Sequence, residues 1–352
     1  MLVFRDRLLA NIDAMIAIAG DPSRLRPHCK THKTREVVKL QIERGILKHK
    51  CATFAEAEML AEAGCGTSAW PTTWSARTSI APSPFAAPTP TSPSQPPPTT
   101  PTRSGNPGNA MAAAGQQIAV LLDIDTGQHR TGVGVGDEAG ALYRLISDTD
   151  GLAPGGFHVY DGHQHQEDRG ERREAVDAEF NRVVAFRDGL VADGLAVPRM
   201  VAGARRRFPD LRREVGSDDR TQPGHLRLQR RRIRHYFPDM DFPPAAAVLT
   251  RVVSRPTSDR ITLDLGTRPS PATPPWENAS LPRPARRRTG VQNEEHLVCR
   301  PTAPGLSPGD ILVGIPWHVC PTSALHGRSS SSRGNWSIAG TWPAATGGSH
   351  LR

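Results

Sequence analysis

Aromatic residues are scarce in this chain of 352 residues, making up 5% of it, with three tyrosines in all. Hydrophobic residues reach 37%, whereas glycine (32) and proline (33) are abundant, so there is too little apolar material for every segment to join a packed core. Long apolar runs are missing too. No stretch approaches the roughly 20 apolar residues that a spanning helix needs. Arg5, Asp6 and Arg7 place charges where a signal peptide requires an unbroken apolar core. A membrane is therefore not an expected partner, and a cytoplasmic setting is the expectation. The five cysteines (Cys29, Cys51, Cys65, Cys299, Cys320) contain no CxxC pair, which argues against a disulfide framework and a four-cysteine zinc site. Positive charge is plentiful, at a net +9, but the runs Arg205 to Arg207, Arg230 to Arg232 and Arg286 to Arg288 are scattered and carry no interleaved aromatics. Basicity without such a pattern gives no nucleic-acid partner.

At this length the chain has room for one large α/β domain and a smaller partner. From Leu8 to Ala19, apolar residues recur at helical spacing (Leu9, Ile12, Met15, Ile16, Ile18) and Gly20-Asp21-Pro22 stops the run. Thr34 caps a second helix carrying Val37, Val38 and Ile42, which Gly45 ends. Lys50 to Phe54 reads as a short strand, followed by a helix over Glu56 to Ala63. Between Cys65 and Pro107, proline, threonine and serine dominate and no apolar period survives. The pattern resumes with the apolar run Ile118 to Asp125, which ends in the carboxylates Asp123 and Asp125, as a buried parallel strand with polar groups at its C-terminal end would. A helix over Glu138 to Ile146, a strand over Gly156 to Tyr160, a helix over Glu171 to Ala192 and a strand over Val197 to Ala202 follow. Repeated β-then-α units of this length favour a barrel or a doubly wound sheet. Beyond Pro238 the pieces are short and β-rich: Ala246 to Ser254, Arg260 to Leu265, His296 to Cys299 and Ile311 to Ile315.

Lys30 lies among His28, His32 and Lys33. A cation beside a lysine disfavours its charged form, as Schiff-base chemistry requires. From these residues alone a solvated basic turn is the simpler reading. Their order changes that. Leu25-Arg26-Pro27-His28-Cys29-Lys30-Thr31-His32-Lys33, with Cys51-Ala52-Thr53 and Ala55-Glu56-Ala57-Glu58 after it, resembles the N-terminal barrel of the D-threonine aldolase and D-serine dehydratase family. Asp123-Ile124-Asp125-Thr126-Gly127-Gln128-His129-Arg130-Thr131-Gly132 is similar to the family's D-x-G-x-x-R-T-G strand. Gly156-Phe157-His158-Val159-Tyr160-Asp161-Gly162-His163 is similar to its H-x-Y-D-G-H segment, and Pro316-Trp317-His318-Val319-Cys320-Pro321 to its H-x-C-P segment.

The resemblance implies an α/β fold: an alanine-racemase-like (β/α)8-type barrel over residues 1–237, then a β-rich domain over 238–352. Pyridoxal 5'-phosphate would be carried by Lys30, faced by Tyr160, and held at its phosphate by the loop opening at Gly203. His318 and Cys320, read as alternate residues of an extended strand sharing one face, would bind a divalent metal, zinc or manganese. A homodimer acting on a small D-amino acid is implied, with retro-aldol cleavage of a D-3-hydroxy amino acid to glycine and an aldehyde. The substrate amine would replace Lys30 on the cofactor, which acts as electron sink, while the metal polarises the β-hydroxyl. D-serine dehydration, an inactive relative and a basic nucleic-acid-binding protein are the other readings.

The chain departs from the family at its phosphate loop, where G-G-T-P-T-F-P is replaced by Gly203-Ala204-Arg205-Arg206-Arg207-Phe208-Pro209. A GC-rich coding string for the family loop, less one base, reads Gly-Ala-Arg-Arg-Arg, and one added base restores Phe-Pro. The same shift relates His225-Leu226-Arg227, Arg231 to Arg234 and Thr267 to Thr273 to family sequence. Compensated frame shifts are thus the expectation for 204–235 and 267–290, and garbled or disordered sequence for 66–107 and 327–352 as well.

Overall fold

The computed structural model describes residues 1–65, 107–203 apart from 165 and 167, 220–221, 242–266, 279–280, 292–316 apart from 302–304, 318–326, 328–332 and 338–341. Most of the segments expected to be garbled or disordered lie outside the described residues. The described residues fall into two compact units, one holding 1–65 with those from Thr221 onward, the other running from Pro107 to Arg220.

In the first unit, β1 (Leu2–Phe4) leads directly into helix α1 (Arg5–Ala19), which ends on Gly20 in the left-handed conformation as expected. The buried face of α1 carries Leu8, Asn11, Ile12, Met15 and Ala19. Asn11 joins this apolar stripe because its Nδ2 donates to the Pro243 carbonyl at 2.9 Å. Helices α2 (Arg35–Ile42) and α3 (Phe54–Glu62) follow. The expected strand at Lys50 to Phe54 is not formed. Lys50 makes one parallel bridge to His28, after which Thr53 caps α3 by accepting from Glu56 N, so helix replaces strand from Phe54. Thr-x-x-Glu at 53–56 is the capping signature that outweighs the strand-like reading of Lys50 to Phe54.

The second unit contains α4 (Pro107–Ala113), β2 (Ile118–Ile124), α5 (Asp137–Asp148), β3 (Leu152–Tyr160), α6 (Arg169–Ala192), β4 (Met200–Gly203) and the two-residue β5 (Arg220–Thr221). β2, β3 and β4 are parallel neighbours, and the connections run through α5 and α6. Val120, Leu122 and Ile124 of β2, with Phe157 and Val159 of β3, face Tyr143, Phe180 and Val183 in one core. Phe157 is fully buried, edge-on to Tyr143 with ring centroids 5.3 Å apart and stacked on Phe186 at 5.5 Å.

The remaining strands return to the first unit: β6 (Ala246–Thr257), β7 (Arg260–Leu263), β8 (Ala279–Ser280), β9 (Leu297–Cys299), β10 (Ile311–Pro316), helix α7 (Val319–Leu325), β11 (Arg328–Ser332) and β12 (Ile338–Thr341). β1 pairs antiparallel with β6 and parallel with β11, so the first strand of the chain is sewn into the sheet made by the last ones. Val248, Val252, Ile261, Leu263 and Leu297 form the apolar face of this sheet.

Candidate active site

Lys30 sits on a 3-10 turn (Cys29–Thr31) rather than at a strand end. The Cys29 N–H donates to the Lys50 carbonyl at 2.8 Å and the Lys50 N–H to the Pro27 carbonyl at 3.0 Å, which anchors the entry to the turn. His28 Nδ1 accepts from the Lys30 N–H at 3.2 Å, and His32 Nδ1 accepts from the Thr34 N–H at 3.1 Å. A ring nitrogen that accepts carries no proton, so both histidines cap backbone as neutral rings. Lys33 has a left-handed backbone (φ 48°) and its ammonium is ion-paired with the carboxylate of Glu56, which is 1% exposed. The flanking cations expected to act on Lys30 are therefore two neutral rings and one neutralised ammonium. What the neighbours supply is a fixed turn presenting a half-buried amine.

His318 and Cys320 are not on an extended strand. His318 is the extended residue preceding α7 and Cys320 lies in its first turn, where Pro321 is tolerated because that turn's N–H groups have no helical acceptor. The two residues are therefore not alternate positions of one extended strand, and the expected geometry of the pair is corrected on that point. α7 docks on the Lys30 turn: Ser323 Oγ donates to the Thr31 carbonyl at 2.8 Å, and Cys320 Sγ lies 3.8 Å from Thr31 Oγ1. Among the described residues, no third His, Cys, Asp or Glu donor forms a compact group with these two. The compact group that does occur is His28, Cys29 and Glu56, all buried, with donor atoms within 4.8 Å of one another. Its carboxylate is already occupied by the Lys33 ammonium, the Ala52 N–H at 2.7 Å and the Cys29 thiol at 3.6 Å.

In the second unit, polar groups gather at the C-terminal ends of β2 and β3. Side chains alternate along a strand, so Asp123 lies opposite the core-facing Leu122 and Ile124, and His158 and Tyr160 opposite Phe157 and Val159. Asp123 Oδ1 meets His158 Nδ1 at 2.5 Å, and Thr131 Oγ1 donates to Asp123 Oδ2 at 2.8 Å. The loop after β2 is closed by a bridge between Ile124 and Val133. Partial burial pushes the pKa of Asp125 up, but hydrogen bonds from the Gly127 and His129 N–H groups and the His129 ring outweigh it and hold the carboxyl below its usual range. The Arg130 guanidinium lies over the Tyr160 ring, 5.3 Å from its centroid. A Cβ at Gly162 would run into the Tyr160 ring, and one at Gly127 would stand 2.9 Å from His163 Nε2. Each loop leaves out a side chain where the other needs room. Gly203 pairs in register with Tyr160 at the end of β4; the phosphate loop expected beyond it, from 204, lies outside the described residues.

Taken each by itself, the two units hold residues whose chemistry suits the implied cofactor. Lys30 offers an amine on a turn held from both flanks, Tyr160 an aromatic ring fixed by its own loop, and Gly203 bare backbone at a strand end. Glu56, Asp123, His158 and Arg130 lie inside the same motif strings as Lys30 and Tyr160, but residue order alone does not single them out as candidates.

The alanine racemase N-terminal domain model matches residues 108–205, and the serine dehydratase domain model matches residues 245–330. A D-threonine aldolase of Arthrobacter sp. is 28% identical over 337 residues, covering 90% of this chain and 84% of the relative. The crystal structure of D-threonine aldolase from Filomicrobium marinum superposes with a TM-score of 0.77 at 21% identity, over 97% of this chain and 93% of the other. D-threo-3-hydroxyaspartate dehydratase from Delftia sp. HT23 gives 0.73 at 18%, over 98% and 97%. An alanine racemase-like protein of Idiomarina loihiensis gives 0.73 at 15%, over 97% and 95%. These likenesses establish an α/β fold with an alanine-racemase-type barrel domain and a C-terminal sheet domain. With an aldolase aligned along nine-tenths of this chain and both domain models in their expected order, the chain is similar along its length to the D-threonine aldolase and D-serine dehydratase-like family.

Proposed function

We propose that the chain is a pyridoxal-phosphate-dependent lyase acting on D-3-hydroxy amino acids, and that its reaction is retro-aldol cleavage of the D-threonine aldolase kind. The observation that carries this reading is the Lys30 turn itself: an amine presented by neutral, backbone-capping histidines, with α7 docked on the adjacent Thr31. When bound, the cofactor supplies an electron sink for charge developing at the substrate Cα. Lys30 would hold it through Nζ, an atom that could also serve as a base. Tyr160 provides a ring whose position is set by Arg130 and Gly162. His318 and Cys320 offer imidazole and thiolate to a divalent metal, a donor set that suits zinc and is compatible with manganese. Such an ion would supply Lewis-acid chemistry to the β-hydroxyl. Homodimeric assembly, the domain division at residue 237 and a cytoplasmic setting belong to the same reading.

The test is purification with pyridoxal phosphate, followed by absorbance and product analysis. The expected result is a visible band of lysine-bound cofactor that disappears in Lys30→Ala, with glycine and acetaldehyde formed from D-threonine. Pyruvate and ammonia from D-serine, without aldehyde from D-threonine, would replace the aldolase assignment by dehydration. A wild-type chain that takes up no cofactor would overturn the enzyme reading and leave an inactive relative.

A further inference from the structure

One buried carboxylate holds both flanks of the Lys30 turn. Glu56, 1% exposed, projects from the first turn of α3. Its Oε1 takes the ammonium of Lys33, three residues after Lys30, and its Oε2 accepts from the thiol of Cys29, one residue before it, at 3.6 Å. The same Oε2 accepts the Ala52 N–H at 2.7 Å, and the Glu56 N–H is bonded to Thr53 Oγ1 at 3.2 Å, so the carboxylate is fixed from its own side. Lys33, in contrast, is held in the left-handed region that a lysine rarely adopts, a conformation that persists only where the surroundings impose it. The Glu56 ion pair is such an imposition. Between Cys29 and Lys33 the chain has only the 3-10 turn that displays Lys30.

We propose that Glu56 is the positioning residue of Lys30: by tying Cys29 and Lys33 to the start of α3 it fixes the turn and keeps Lys33 from competing for an aldehyde. This rests on the reading of Lys30 as cofactor anchor. The carboxylate is already engaged by an ammonium, an amide and a thiol, which is why His28, Cys29 and Glu56 are assigned as a clamp rather than a metal site.

The experiment treats the full chain with pyridoxal phosphate, reduces it with borohydride and locates the pyridoxyl label by peptide mass spectrometry. In the wild type the label is expected on Lys30. In Glu56→Gln the Lys30-to-Lys33 labelling ratio should fall at least about tenfold, because Lys33 gains a free amine while the turn loosens; general loss of stability would lower both labels without exchanging them. Removing one member of a buried pair strands a charge, so Glu56→Gln/Lys33→Met, which has no competing amine at 33, serves as the variant that keeps the fold, and its Lys30 label should still fall below the wild-type level. A Lys30 label at the wild-type level in the double variant would overturn the proposal. Amide hydrogen exchange separates this from failure of the cofactor reading. If the wild type takes no label at all, protection of the His32 and Lys33 amides should still fall at least about tenfold in the double variant, and unchanged protection would equally overturn the clamp.

Discussion

Asp123 and His158 meet across neighbouring parallel strands at 2.5 Å, Oδ1 to Nδ1, with side chains 8% and 6% exposed. Thr131 supplies a further donor to the same carboxylate, so the pair is a satisfied buried network at the strand ends. Truncating one member leaves the other without its partner. Asp123→Ala should cost about 3 kcal/mol. Asp123→Asn, which can still accept from a ring N–H, should cost about 1 kcal/mol. Urea denaturation of the three chains measures this, and equal losses would show that the pair is not coupled as described.

Phe157 makes the second prediction. It is fully buried between Tyr143 and Phe186. Phe157→Ala should remove about 3 to 5 kcal/mol through lost transfer energy and an unfilled cavity. Phe157→Leu, which keeps most of the volume, should remove less than about 2 kcal/mol.

The cysteines give a pH-dependent prediction. Burial, helped by the neighbouring Glu56 charge, pushes the Cys51 thiol up to about 12, and burial alone pushes Cys65 and Cys299 up to about 11. Unfolded thiols titrate near about 8.5, so in this range the folded state retains protons the unfolded chain has lost. The stability these thiols lend is complete below the unfolded value and drains away as pH rises through about 11. At neutral pH, half-buried Cys320 should be the first cysteine to react with iodoacetamide, and Cys51, Cys65 and Cys299 should follow only on unfolding. Labelling of Cys51 in the native chain at the rate of Cys320 would contradict this.

Metal removal uses the same thiol. Zinc should slow alkylation of Cys320 in the wild type, and a chelator should restore the original rate. In His318→Ala the protection should weaken by about ten- to a hundredfold in the zinc concentration required, as expected when one of few ligands is lost. Zinc with no influence on Cys320 would remove this pair from the metal assignment.

Gly162→Ala tests the interlocked loops. The added methyl must displace the Tyr160 ring, at a cost of about 1 to 3 kcal/mol for an overpacked contact. Cofactor retained on Lys30 with its band altered would place Tyr160 against the ring; an unchanged band together with an unchanged melting temperature would separate Gly162 from both.

Much of the helical framework is legible from residue order. Gly20 stops α1 where the glycine rule puts it, and the apolar run from Ile118 to Ile124 is a buried parallel strand. The misread segments are those where local hydrogen bonding decides. Thr53 and Glu56 turn a strand-like stretch into a helix start, and Pro321 marks the first turn of α7 instead of interrupting a strand. In the site, Lys30 and Tyr160 are visible as members of strings. The role of Glu56 is not, because its three partners at 29, 33 and 52 are brought together only by the Lys50 bridge and the cap at Thr53. The histidines flanking Lys30 look like charges in one dimension and act as backbone acceptors in three.

The pairing of β1 with β6 and β11 has a consequence for biogenesis. Leu2 to Phe4 must wait for residues 246–247 and then for 330–332 before their backbone groups are matched. At about 5–20 residues per second of synthesis, that is a delay of some tens of seconds. Throughout it an apolar segment with open strand edges hangs from the ribosome, and in that interval the nascent chain is most exposed to mispairing and most in need of a chaperone's cover.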